Sequence, residues 1–329
     1  MKFAIVGAGA IGAFVGAMLA KSGEDVTLIA RGPHLRAMQE RGVRVRGEIG
    51  EFEAHPAATD DTAGVGEVDV VLLTLKAHSL PAMAPELAPL FGPQTSVVSA
   101  QNGIPWWYFY RHGGPLEGMQ LESVDPGGVI TQNIDSARVI GCIVYPSTSI
   151  AEPGVIEHTE GNRFAIGEPD GSKSERCRAL ADVFIKAGFR CPIRTNIRHD
   201  MWVKLMGNVA YNPISALTGA TLIEIVQSLE TRELAAAIMR EAESVALKLG
   251  IELGVSIEQR LAGAEKVGHH KTSMLQDIEA GKPTELEAIV GAVVELGEKL
   301  GVDLPNTKSV YARVKLLETA RMRTQSKTV

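Results

Sequence analysis

Hydrophobic and polar positions divide this chain into two kinds of segment. Up to about Arg190, short apolar runs bounded by glycine or polar residues recur: Lys2 to Val6, Val26 to Ala30, Val68 to Leu75, Thr95 to Ala100 and Val139 to Tyr145. Val68 to Leu75 is apolar almost without a break, as a parallel strand covered on both faces must be. Beyond Arg190 the period becomes helical, as in Leu229 to Leu249 and Leu286 to Leu300, each closed by a glycine. The pattern predicts an α/β chain: a doubly wound parallel sheet over residues 1–193, then an all-helical domain over 194–329.

The run Lys2 to Val6 ends in Gly7, and Gly7, Gly9 and Gly12 form a G-x-G-x-x-G turn through Ala8, Ala10 and Ile11. A helix-forming segment from Ala10 to Lys21, Gly23 and the second apolar run follow, which completes the βαβ unit this motif requires. Such a turn passes a strand tightly into a helix and turns free helix N–H groups toward a pyrophosphate. The sheet is therefore of the Rossmann type, and residues 7 to 12 are read as a dinucleotide site. The segment has the outline of a signal peptide, but three glycines at this spacing and the strand after them argue against export.

Cofactor choice is written at the end of the second strand. The chain there reads Leu28-Ile29-Ala30-Arg31-Gly32, with no carboxylate to take a ribose 2′-hydroxyl. Arg31 stands where it can pair with a 2′-phosphate, which favours NADP(H) over NAD(H), with an exposed surface arginine in a loop as the lesser alternative. Lys76 and Asn102 follow the next two strands, and in open α/β sheets ligands lie beyond the carboxyl ends of strands. Singly, each has a bland alternative: a solvated lysine and an Asn-Gly turn.

Composition narrows the function classes. A chain of 329 residues with 45% hydrophobic and 22% charged positions has material for two cores, and a net charge of -6 offers no footprint for nucleic acid outside a short basic tail, Arg321 to Lys327. No apolar stretch is long enough to span a bilayer. Cys142, Cys177 and Cys191 lack metal-ligand spacing and read as reduced thiols of a cytoplasmic protein. The pair His269-His270 has no third ligand at suitable spacing, so no metal site is expected. The apolar helices of the second domain leave room for a homodimer.

The first helix of that domain carries chemistry. From Asp200 to Asn212 the polar side chains are Asp200, Lys204, Asn208 and Asn212, spaced by four and so stacked on one face of an otherwise apolar helix. Such a helix suits a buried position lining a polar cavity, where Lys204 requires a carboxylate partner or an anionic ligand. Pro213 predicts a kink or an end to the helix at Asn212.

Taken together, the glycine turn, Lys76, Gln101-Asn102-Gly103, Lys204-x3-Asn208-x3-Asn212-Pro213, Thr272-Ser273-Met274-Leu275-Gln276-Asp277 and Pro283-Thr284-Glu285 resemble the ketopantoate reductase (2-dehydropantoate 2-reductase) family, from residue 1 to about 310. The resemblance implies NADPH-dependent reduction of a small 2-keto acid, ketopantoate, to pantoate on the way to pantothenate and coenzyme A. It implies a helical domain similar to the C-terminal type of 6-phosphogluconate dehydrogenase, with cofactor and substrate between the domains. On matching positions, it makes Lys204 the general acid and Glu285 the carboxylate that orients it. Asn102, Asn208, Asn212 and Ser273 become substrate ligands, and Lys76 stands at the junction of nicotinamide and substrate. The chemistry fits, because hydride arriving at a ketone carbon creates an alkoxide that an ammonium both stabilises and protonates. Helix capping would select Ser273 and Glu285 equally well.

One stretch departs from the family pattern. Trp106-Trp107-Tyr108-Phe109-Tyr110 follows Asn102 closely and reads as a lid or pocket wall that shifts substrate preference, an oligomer contact or a satellite packing cluster. Two alternatives to ketopantoate reduction follow: a sibling enzyme for another 2-keto or 2-hydroxy acid, and a non-catalytic NADP(H) sensor.

Overall fold

A computed structural model gives the fold; the structure describes residues 1–325, and Lys327 of the basic tail lies outside the described residues. By packing, the chain separates into two units. The first comprises Met1–Gln101, Pro105–Gln120 and Asp125–Ile197; the second comprises Asn102–Ile104, Leu121–Val124 and the chain from Arg198 onward.

The first unit holds strands β1 (Lys2–Val6), β2 (Asp25–Ile29), β3 (Val43–Gly47), β4 (Phe52–Ala54), β5 (Ala57–Thr59), β6 (Val68–Leu73), β7 (Phe91–Ser99), β8 (Val139–Val144), β9 (Ser147–Glu152), β10 (Val155–Glu160) and β11 (Phe164–Gly167). Its helices are α1 (Ala10–Lys21), α2 (Gly32–Arg41), α3 (Leu80–Met83), α4 (Val129–Asn133) and α5 (Glu175–Lys186). Seven strands form one sheet in the order β11-β8-β7-β6-β1-β2-β5, parallel except for β11. Strand order reverses at β1, which has β2 on one side and β6 on the other. That is the switch point at which open α/β sheets bind nucleotides.

A second sheet, β4-β3-β10-β9, lies outside what the hydrophobic pattern predicted. Its central pair joins β3 and β10 in parallel, with Val45 opposite Ile156. Helix α1 packs on both sheets, which explains its composition: Gly12 through Leu19 are all buried, and the helix has no polar face to give to water. His158 of β10 stacks on Phe14 of α1, with ring centroids 4.8 Å apart.

The aromatic run takes the packing role. Trp106, Trp107, Tyr108 and Phe109 are buried, Tyr108 and Phe109 meet edge to face at 4.8 Å, and the Trp107 ring occupies the space a side chain at Gly141 of β8 would need. Burying these rings removes a large apolar surface from water, which fits a packing cluster better than an exposed lid.

Beyond Ile197 the described residues form helices and connecting segments: α6 (Ile197–Thr218), α7 (Leu222–Gln227), α8 (Leu229–Lys248), α9 (Ile257–Val267), α10 (Ser273–Glu279), α11 (Ala292–Leu300) and α12 (Pro305–Gln325). Two expectations need correction. Helix α6 does not end at Asn212; Pro213 lies inside it, and burial of Ile214, Ser215 and Ala216 on the following turn offsets the roughly 3 kcal/mol that an interior proline costs. The stretch from Leu286 to Leu300 is not one regular helix either: a π-helical turn, Glu287–Gly291, precedes α11. Among the described residues, no helix is long and apolar enough to cross a membrane.

Candidate functional site

In the first unit, the glycine turn leaves β1 at the switch point. Gly7 has φ +89, and a Cβ there would lie 2.5 Å from the Leu75 backbone, so only glycine fits. Two backbone bonds tie the turn to β2, from Gly7 and Ala8 N–H to the Ile29 carbonyl at 3.0 and 2.9 Å. The Thr74 hydroxyl, just past β6, donates to the Gly7 carbonyl at 3.0 Å. Gly12 is equally constrained, since a Cβ would lie 2.5 Å from Thr74 Oγ1 and 2.7 Å from the Gly7 carbonyl.

Gly9 differs: the nearest atom to its absent Cβ is the Gly7 carbonyl at 3.9 Å. The space is open, and it lies at the N-cap of α1, where no side chain caps the helix and no acidic residue occupies the first turn. Open space beside helix N–H groups suits a pyrophosphate. Ala10 and Ile11 are half-buried in that first turn, and Ala8 is buried beneath it.

The two basic residues stand beyond the ends of the neighbouring strands. Arg31 is exposed at the N-cap of α2, shortly after β2, with Nη2 3.8 Å from Met83 Sδ. Lys76 is half-buried at the head of the short turn Ala77–Ser79 that follows β6. Because β2, β1 and β6 are adjacent, the glycine turn and both cations share the carboxyl edge of one sheet.

In the second unit, three sequence-predicted residues are joined. Lys204 Nζ on α6 donates to Asn102 Oδ1 at 2.7 Å, and Asn102 Nδ2 donates to Glu285 Oε2 at 3.1 Å. Glu285 is only 5% exposed, so its acceptor is held where hydrogen bonds are strong. Asn208 and Asn212 follow Lys204 on the same helix face. Asn208 is half-buried; Asn212 is 4% exposed, and its Nδ2 lacks a hydrogen-bond partner. A buried donor without an acceptor costs about 1–3 kcal/mol, which an oxygen of a ligand would recover.

Ser273 stands apart from these bonds, exposed as the first residue of α10. It does not cap that helix: the cap is Thr272, whose hydroxyl accepts from Leu275 N–H at 3.2 Å.

Several residues that hold this geometry were given no role by the sequence reading. Gly103, at φ +87, leaves the Ala288 carbonyl room that a side chain would take, and Ile104 N–H donates to the same carbonyl at 2.9 Å. The Thr284 hydroxyl accepts from Leu286 N–H at 3.2 Å and fixes the chain on either side of Glu285. Thr284 is recognisable in hindsight as a capping residue before a helical run. Nothing local to Ala288 marks it.

Known proteins resemble this chain along its length. The family model described as ketopantoate reductase PanE/ApbA matches residues 3–171, and that of the ketopantoate reductase PanE/ApbA C terminal matches residues 196–318. A curated 2-dehydropantoate 2-reductase of Mesorhizobium japonicum is 48% identical over 322 residues, covering 98% of this chain and 99% of that protein. The crystal structure of a PanE/ApbA family ketopantoate reductase from Ralstonia eutropha superposes with a TM-score of 0.85 at 27% identity, covering 98% of this chain and all of that one. A D-mandelate dehydrogenase solved with NADH gives a TM-score of 0.81 at 25% identity, over 97% of this chain and 99% of that one.

Proposed function

The chain belongs to the ketopantoate reductase family, and from that premise we propose that it reduces 2-dehydropantoate to pantoate with NADPH, an oxidoreductase reaction at a CH–OH group. The observation that carries this reading is the bonded chain Lys204–Asn102–Glu285. NADPH, when bound, supplies the hydride. The open space at Gly9 and the first N–H groups of α1 receive the pyrophosphate, and Arg31 pairs with the 2′-phosphate. Lys76 contributes positive charge at the same sheet edge.

As hydride adds to the keto carbon, the carbonyl π electrons move onto oxygen, and Lys204 Nζ gives that oxygen a proton. Asn102 holds the ammonium through Oδ1, and Glu285 holds Asn102 through Nδ2, so the acid is aimed before substrate arrives. The unpaired Asn212 Nδ2 donates to a substrate oxygen, and Asn208 and Ser273 supply further donors.

Neither alternative gains support. Four rings of the aromatic run are packed inside the chain, which favours the packing reading over a lid, and a redox sensor has no use for a lysine acid braced by a carboxylate. The test is NADPH oxidation followed by absorbance with 2-dehydropantoate and a panel of other 2-keto acids. Turnover of 2-dehydropantoate far above the panel, lost in Lys204→Ala, is the expected result; turnover of another acid alone would overturn it.

A further inference from the structure

Both ends of the Asn102–Glu285 bond are tied to the π-helical turn Glu287–Gly291. Glu285 precedes it by two residues, and the Glu285 carbonyl accepts from Ile289 N–H at 3.1 Å. Asn102 is tied to it through the next two residues: Ile104 N–H binds the Ala288 carbonyl, and Gly103 lies against that carbonyl without a side chain. A displacement of this turn therefore moves the carboxylate and the amide that brace Lys204 together.

A π-helical turn is an uncommon geometry and needs support. Here it comes from α12. Tyr311 Oη donates to the Glu287 carboxylate, lying 3.0 and 2.8 Å from its two oxygens, and Lys315 Nζ lies 3.1 Å from Glu287 and donates to Tyr311 Oη at 3.0 Å. Gly291 makes the arrangement feasible, since a Cβ there would lie 2.5 Å from Glu287 Oε2 and 3.3 Å from the Tyr311 ring. Burial, with Glu287 also acting upward, pushes the Tyr311 phenol pKa above its ordinary value despite Lys315, so the hydroxyl stays a donor.

We propose that Tyr311 is a positioning residue for the reductase, acting through Glu287 and the π-helical turn to hold Asn102 and Glu285 in register with Lys204. The proposal rests on the function given above. It assigns α12 a part in the chemistry of a lysine on α6, through the turn that Tyr311 supports.

The experiment compares Tyr311→Phe, Glu287→Gln and, as a control, Glu241→Gln. Glu241 anchors the start of the same helix, accepting from the N–H groups of Asn306 and Thr307 at 2.9 and 2.8 Å, and among the described residues no hydrogen bond or ion pair joins it to the π-helical turn. Tyr311→Phe should lower kcat about tenfold while KM and the NADPH dissociation constant hold, the signature of lost alignment at the reacting centre. Glu287→Gln keeps an oxygen acceptor for the phenol and should retain most of the rate. Glu241→Gln should lower Tm and leave kcat unchanged.

A second readout does not depend on turnover: the side-chain amide resonance of Asn102, assigned by its loss in Asn102→Asp, should shift in Tyr311→Phe and stay in place in Glu241→Gln. Wild-type kcat and an unmoved Asn102 resonance in Tyr311→Phe would overturn the proposal, as would equal losses of kcat in Tyr311→Phe and Glu241→Gln. Failure of the wild type to reduce 2-dehydropantoate would sink the function and leave the resonance to decide the positioning role.

Discussion

Lys204 Nζ donates to Asn102 Oδ1 at 2.7 Å, and that bond decides which way the Asn102 amide faces. An ammonium only donates and a carboxylate only accepts, so with Lys204 on one side and Glu285 on the other the amide has a single satisfied orientation. Asparagine is a small side chain whose acceptor and donor sit on separate atoms, so it can bridge the two groups. Asn102→Asp should therefore cut kcat strongly even though it keeps the bond to Lys204, because the new carboxylate faces Glu285 with like charge. Steady-state rates of Asn102→Asp and Lys204→Ala measured together check this. Lys204→Ala should lose about 10²–10⁴ in kcat as the general acid, and wild-type rates in Asn102→Asp would show that the donor end is idle.

Gly9 and Gly12 should fail differently when changed to alanine. A Cβ at Gly9 meets open space, so Gly9→Ala should fold with an unchanged Tm and lose cofactor affinity. A Cβ at Gly12 collides with Thr74 and the Gly7 carbonyl, so Gly12→Ala should lower Tm. Thermal melts with and without NADPH separate the two.

Arg31→Ala should weaken NADPH binding by roughly 10- to 100-fold, as expected for loss of one charge-assisted hydrogen bond of about 1.5–3 kcal/mol, and leave NADH binding nearly unchanged. Fluorescence titration with both cofactors checks this. Equal weakening of the two would mean that Arg31 does not read the 2′-phosphate.

Glu295 on α11 ties down the segment Leu121–Val124 of its own unit, accepting from Ser123 N–H at 2.9 Å, Ser123 Oγ at 2.7 Å and Glu122 N–H at 3.1 Å. Burial pushes its carboxyl pKa up, but these hydrogen bonds and the Lys299 ammonium more than reverse that, and it lies below the usual 4.5. A depressed acid contributes stability that is present in full above the unfolded value and is lost as pH falls through the folded one. Glu295→Gln should therefore be less stable than the wild type near pH 7 by urea denaturation, with the difference shrinking below about pH 4.5.

Cys177 and Cys191 should be silent in the folded protein. Burial pushes both thiols up to about 12, which leaves almost no thiolate at neutral pH. A thiol-specific disulfide reagent should label neither until denaturant is added, and fast labelling under native conditions would refute this.

What the sequence determined by itself is local. Helix α1 runs from Ala10 to Lys21 as the glycine turn implies, because positive φ at Gly7 and the steric demands at Gly12 act within a few residues and along one strand pair. The face shared by Lys204, Asn208 and Asn212 follows from the helical period alone. What only the tertiary structure decided is which of these faces meets which residue. Asn102 finds Lys204 across 102 positions and Glu285 across 183, and no local pattern encodes those distances. The pairing of β3 with β10, the burial of the aromatic run and the passage of α6 through Pro213 have the same origin. Each is settled by the apolar surface that packing removes from water, a quantity that belongs to pairs of surfaces and is absent from either segment read alone.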